Sequence, residues 1–151
     1  MKAVIQRVNE ASVTIDGEIY SSIKKGFLVL VGIQKGDSEK EAEYIANKTC
    51  DLRIFTDNDD KMSLSLSDVD GEILVISQFT LISDGKKSGN RPSFIFAEEP
   101  EKANNLYEFF LKKCRDKLGR DKVKSGVFAA YMKVRLENDG PVTIIIEKRF
   151  E

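Results

Sequence analysis

The segment Ser77-Gln78-Phe79-Thr80-Leu81 brings three hydrogen-bonding side chains to the end of an unbroken apolar run, Ile73–Ile76. Such a run suits a strand covered on both faces. A polar group buried there without a partner costs about 1–3 kcal/mol. Ser, Gln and Thr at its end therefore have one of two uses. They form the floor of a polar pocket, or the strand leaves the core and its hydroxyls meet solvent. If the strand stays regular to Ile82, Gln78 and Thr80 face one way and Ser77, Phe79 and Leu81 the other.

Composition narrows what these groups can do. The 151 residues include no histidine and only two cysteines, Cys50 and Cys114. That removes Ser-His-Asp and Cys-His triads, HExxH zinc sites and any imidazole general base. A Cys/His zinc site goes with them. Chemistry is left to hydroxyls, carboxylates, lysines, main-chain dipoles or the substrate itself, and neither a metal nor a cofactor is expected. Lys plus Arg number 24 and Asp plus Glu 25, for a net charge of −1, so contact with a polyanion is local and modest. No apolar run is long enough to span a bilayer, and MKAVIQRVNEASV alternates as a strand does, unlike a signal peptide. The cysteines fall in separate helical regions without paired spacing, and read as core thiols in a reducing cytosol.

Further segments carry candidate chemistry. Gly85-Lys86-Lys87-Ser88-Gly89 has the residue types of a phosphate loop without its spacing, since no glycine stands at position 80. Lys86, Lys87 and Arg91 still bring three cations and several free amides into one loop, opposed by Asp84. That suits a few phosphates of an RNA end as well as it suits a solvated surface loop. Asn138-Asp139-Gly140-Pro141 reads as a hairpin turn joining the last two strands; X-Pro is also where a cis peptide costs only about 0.5–1 kcal/mol. Phe128-Ala129-Ala130-Tyr131-Met132 sets small residues beside an aromatic and a thioether, a combination that clasps a flat ring or fills a core. Asp57-Asn58-Asp59-Asp60-Lys61 lacks the glycine and the twelfth-position glutamate of a calcium loop and reads as a turn.

The elements that position these residues follow from periodicity. Lys2–Asn9 and Ala11–Ile15 alternate, Asp16-Gly17 turns the chain, and Glu18–Ile23 and Phe27–Ile33 are strands. Ser38 with Glu41 forms a capping box that opens a helix to about Cys50. Leu52–Phe55 and Met62–Leu66 read as short strands, and Asp70-Gly71 leads into the central one. Ser83–Pro92 is a loop. Pro100, with Glu98, Glu99 and Glu101, starts a second helix that runs to about Gly119. Val123–Val127, Tyr131–Leu136 and Val142–Phe150 complete the strands. The expected fold is a single α+β domain over 1–151, its β-sheets barrel-like or layered, with two main helices packed on one side.

Taken together, KAVIQRV at the start, LRIF at 52–55, SQFTL at 77–81, KK…RPSF at 86–94 and NDGPVT at 138–143 resemble the D-aminoacyl-tRNA deacylases over nearly the whole length and in the family's order. One departure is Ala129, where many relatives have glycine. The resemblance implies a cytoplasmic homodimer with active sites at the subunit interface. It implies hydrolysis of the ester between a D-amino acid, or glycine, and the 3′-terminal adenosine of tRNA. By position, Gly140-Pro141 is the cis element that enters the partner subunit's pocket and excludes L side chains by main chain alone. Ser77, Gln78 and Phe79 line the ester. Thr80 is the catalytic side chain, positioning water or ester, and the RNA 2′-OH assists. Phe128 and Met132 contact the terminal adenine, and Lys86, Lys87 and Arg91 contact phosphates. The competing readings are a nucleic-acid-binding module that kept the fold without catalysis, and a dimeric small-ligand binder.

Overall fold

A computed structural model describes all residues, 1–151. Its longest early element is β1 (Lys2–Ile15), a single strand where the sequence suggested two segments. Its C-terminal half pairs with β2 (Glu18–Ile23) through the Asp16-Gly17 turn, and its N-terminal half pairs with β3 (Gly26–Gly32). β3 runs parallel to β6 (Glu72–Ser77), which runs parallel to β7 (Val123–Ser125). β3 and β6 start so close together that a Cβ on Gly26 would lie 1.7 Å from the Glu72 carbonyl oxygen, so only glycine fits there. The path β2-β1-β3-β6-β7 almost closes on itself: Ser21 Oγ of β2 donates to the Ser125 carbonyl of β7 at 2.8 Å. The result is a barrel-like sheet, the first of the two arrangements expected for this α+β chain.

Two helices cover one side. α1 (Glu39–Asp51) begins at the capping box read from the sequence, with Ser38 N and Ser38 Oγ each 2.7 Å from a Glu41 carboxylate oxygen. The other oxygen of Glu41 accepts from Phe150 N at 3.1 Å, which straps the tail to the helix. Burial pushes this carboxyl upward, but the bonds from Ser38 and Phe150 outweigh it and hold its pKa at about 2. α3 (Pro100–Leu118) starts at Pro100 and buries Leu106, Tyr107, Phe110 and Cys114 on the same core as Ile45, Ala46 and Cys50 of α1. Both cysteines are buried free thiols. Tyr107 Oη donates to the Val75 carbonyl at 2.7 Å and pins α3 to β6 two residues before Ser77.

Several expectations are corrected. The central strand stops at Ser77, and Phe79–Leu81 is a 3₁₀ turn, so residues 77–81 do not alternate across two faces. The strand expected at Leu52–Phe55 is the pair Phe55–Thr56 (β4), and Met62–Leu66 shortens to Met62–Leu64 (β5) before a small helix, α2 (Leu66–Val69), capped by Ser65. The strand expected at Val123–Val127 ends at Ser125.

The largest correction concerns the last strands. Tyr131–Leu136 and Val142–Phe150 are one strand, β8 (Lys133–Glu147), both halves of which pair antiparallel with β1. Asn138–Pro141 is therefore no hairpin turn. Gln6 faces Thr143 and Val8 faces Asn138, so four residues, Asp139–Val142, stand opposite Arg7 alone and must bow out of the sheet.

Candidate active site

Because the chain leaves the sheet at Ser77, residues 77–80 open into a cavity of about 930 Å³. Its walls are the 3₁₀ turn, the segment Phe94–Pro100 and the turn Phe128–Met132. Ser77, Gln78, Phe79, Thr80, Phe128 and Met132 all line it, so six residues singled out in the sequence share one space. Both readings of the polar strand end hold in part: the strand leaves the core at Ser77 with Thr80 exposed, and residues 77–80 all line the cavity.

The polar groups on the floor divide their work. Gln78 N is spent on the Val31 carbonyl at 2.8 Å, which removes it from the donors open to a ligand. Phe79 and Thr80 head the 3₁₀ turn, where main-chain N–H groups have no partner within the turn. The Gln78 amide Nε2 donates to Thr80 Oγ1 at 3.0 Å, leaving the Thr80 hydroxyl hydrogen free to point elsewhere. Phe79 is 57% exposed and meets Phe94 edge-on at 5.3 Å, forming an apolar wall beside these donors.

Two carboxylates reach the cavity, and neither is a free base. Burial raises the Glu98 carboxyl, but bonds from Glu99 N, the Lys102 ammonium and Gly36 N hold it below its usual range; Lys102 Nζ lies 3.2 Å away. Glu99 pairs with Lys35 at 3.8 Å. With no histidine in the chain, no group in this space is arranged to deprotonate the Thr80 hydroxyl.

The Phe128–Met132 turn has an unusual backbone. Ala129 holds φ 64°, the left-handed region in which a Cβ costs about 1–2 kcal/mol. The loop Ser83–Pro92 sits next to the cavity through Phe94. Ser93 O accepts from Asp84 N at 2.8 Å, and Lys86 N donates to Asp84 Oδ1 at 3.0 Å. None of the chain's ion pairs involves Lys86, Lys87 or Arg91, so the loop's three cations are unneutralised.

Gly140 and Pro141 are not in this cavity. They form the exposed tip of the bowed segment of β8, and the bond between them is cis. The tip is held from below. Arg7 is 9% exposed; its Nε donates to the Asp139 carbonyl at 2.9 Å and its Nη1 to the Ile54 carbonyl at 2.7 Å. Asn138 closes the base, accepting from Val142 N at 2.7 Å and donating to Val142 O at 3.1 Å. At Gly140, φ is 145° and a Cβ would lie 2.8 Å from Val142 Cγ2 and 3.2 Å from Arg7 Nη2, so glycine is required. Sequence reasoning missed Arg7. Its signal was available: Ala3, Ile5 and Arg7 share the inward phase of β1, and an arginine on that face needs a partner.

A family model described as D-Tyr-tRNA(Tyr) deacylase matches residues 4–147. A protein named D-aminoacyl-tRNA deacylase from Thermosipho melanesiensis is 53% identical over 149 residues, covering 99% of this chain and 98% of its own. One of the same name from Flavobacterium psychrophilum is 52% identical with the same coverage. The solved structure of a c-Myc DNA Unwinding Element Binding Protein superposes with a TM-score of 0.93 at 44% identity, over 99% of this chain and 100% of that one.

Proposed function

Because the chain belongs to the D-Tyr-tRNA(Tyr) deacylase family, we propose that its cavity hydrolyses the ester joining a D-amino acid, or glycine, to the terminal adenosine of tRNA. The family's members are hydrolases that act on ester bonds. Phe79 and Thr80 N–H groups receive the oxyanion that develops on the ester carbonyl. Thr80, oriented by Gln78, positions the attacking water or the ester. It is not a covalent nucleophile, since the cavity has no base to activate it. The neighbouring ribose 2′-OH of the RNA supplies the proton relay that the protein lacks, and the protein contributes placement. Phe128 and Met132 pack on the adenine, and Lys86, Lys87 and Arg91 take the nearby phosphates.

The observation that carries this reading is a separation. The polar floor at 77–80 is in one place, and the main-chain tip at 140–141 is in another. Chiral selection needs both at one α-carbon, so the tip is supplied by a second copy of the chain. A dimer is also supported by β8, which pairs with β1 on one edge and has no strand on the other, and whose Ile145 is 62% exposed. Within that dimer, the tip's carbonyls leave no room for an L side chain and admit the D enantiomer or glycine, whatever the side chain. We assign the protein to the cytoplasm.

A second reading, a nucleic-acid-binding module without catalysis, draws on the name of the solved relative at 44% identity. One assay separates the two. D-Tyr-tRNA, L-Tyr-tRNA and Gly-tRNA are incubated with the protein and ester loss is followed. Loss of the D and glycyl esters with the L ester spared is expected. Survival of all three points to the binding module, and equal loss of D and L removes the main-chain exclusion.

A further inference from the structure

Tyr131 is 86% exposed, more than any other large apolar or aromatic side chain in the protein, yet it lies on the wall of the cavity. It belongs to none of the chain's ring–ring or cation–ring pairs. Its position is held by a costly backbone. Ala130 N donates to the Val127 carbonyl at 3.2 Å, and Ala129 takes a left-handed φ of 64° so that the chain reverses and throws residue 131 outward. A rigid turn that presents an unpartnered ring at the rim, next to Phe128 and Met132, is what a planar ligand needs to stack on. Ile95, 60% exposed, adds apolar surface at the same rim.

From this geometry we infer that Tyr131 is the stacking platform for the nucleotide immediately 5′ of the terminal adenosine. The inference rests on the deacylase reading and extends it to the next base. With adenine against Phe128 and Met132, the strand must leave the cavity past its rim. The next base emerges unstacked, and the exposed ring offers it a replacement for the lost neighbour. Stacking uses the π-face common to all bases, so the subsite accepts any base there. The phenol hydroxyl has no part in it.

The test compares D-tyrosyl esters of adenosine and of the dinucleotide CpA. In the unaltered protein the dinucleotide has the higher kcat/KM. In Tyr131→Ala the ratio of dinucleotide to adenosine falls about tenfold, through KM. In Tyr131→Phe the ratio is retained, and UpA esters behave as CpA esters do. A ratio unchanged in Tyr131→Ala overturns the inference, and so does an equal fall in Tyr131→Phe, which would make the hydroxyl the determinant. Equilibrium binding of uncharged CpA relative to adenosine gives the same ratio without ester cleavage. Should the unaltered protein cleave neither ester, the deacylase reading fails on that result alone. The binding ratio then decides Tyr131 independently: a fall in Tyr131→Ala with retention in Tyr131→Phe supports the platform, and no change overturns it.

Discussion

Replacing Arg7 by Met keeps most of the aliphatic stem in place and removes the guanidinium, so the loss is mainly polar. Two bonds disappear, the 2.9 Å bond to the Asp139 carbonyl and the 2.7 Å bond to the Ile54 carbonyl, and the second leaves a buried acceptor without a partner. Hydrogen bonds from a charged donor are worth about 1.5–3 kcal/mol each, and the gain in apolar burial offsets part of that. A net cost of about 3 kcal/mol follows, which in a chain of this size lowers the melting temperature by about 6–12 °C. Asp139→Asn is the control. Its carboxylate lies 3.8 Å from Arg7 Nε and its side chain is about half exposed, so that ion pair contributes at most about 1 kcal/mol. Thermal unfolding followed by circular dichroism should show a large fall for Arg7→Met and a shift under about 2–4 °C for Asp139→Asn. If the two variants melt together, or if Arg7→Met melts with the parent, Arg7 does not hold the tip through the main chain. With the tip loosened, Arg7→Met should also lose part of its preference for D-Tyr-tRNA over L-Tyr-tRNA, while Asp139→Asn keeps it.

Thr80→Ala should lower single-turnover ester loss by about a hundredfold, with Thr80→Ser recovering most of it; full activity in Thr80→Ala would leave the hydroxyl without a role. Glu41 has its carboxyl lowered from 4.5 to about 2 in the folded protein, so its stabilisation is complete above about pH 4.5 and is lost as pH falls toward 2. The urea midpoint should drop across that window, and Glu41→Gln should flatten the drop. Tyr107→Phe removes one of the two donors to the Val75 carbonyl, which keeps Gly126 N at 3.3 Å, and should cost about 0.5–1.5 kcal/mol by urea unfolding, with a parental midpoint refuting that bond's value. Ala129→Gly relieves the left-handed residue and should raise the midpoint rather than lower it, provided the turn keeps its shape.

Local chemistry was the legible part. Ser38 with Glu41 and Pro100 with its acidic neighbours announced both long helices, because caps act within one turn of chain. The polar end of β6 left a pocket floor and an exit to solvent both open, because hydroxyls there need a partner that residue types do not name; in the fold Ser77 and Gln78 are half-buried and Thr80 is exposed, all on the cavity wall. What the strand did after Ser77 was hidden: residues 77–82 contain neither glycine nor proline, and the turn shows only in the bonds Leu81 N to Gln78 O and Ile82 N to Phe79 O. Met62, Leu64 and Leu66 alternate well enough to mask the Ser65–Asp68 capping box that opens α2. Gly140-Pro141 carried a sound turn signal, but whether the chain doubles back there depends on β1. A partner of 14 residues is long enough to hold both halves of β8 on one line.

That shared partner leaves the tip free to vary. Thr143 is held opposite Gln6 and Asn138 opposite Val8, so each half of β8 keeps its faces however many residues bow out between them. A residue added to or removed from the arch would leave Ile146 buried and would change only how far the arch projects from the barrel. The projection can thus lengthen or shorten without disturbing the sheet that carries it.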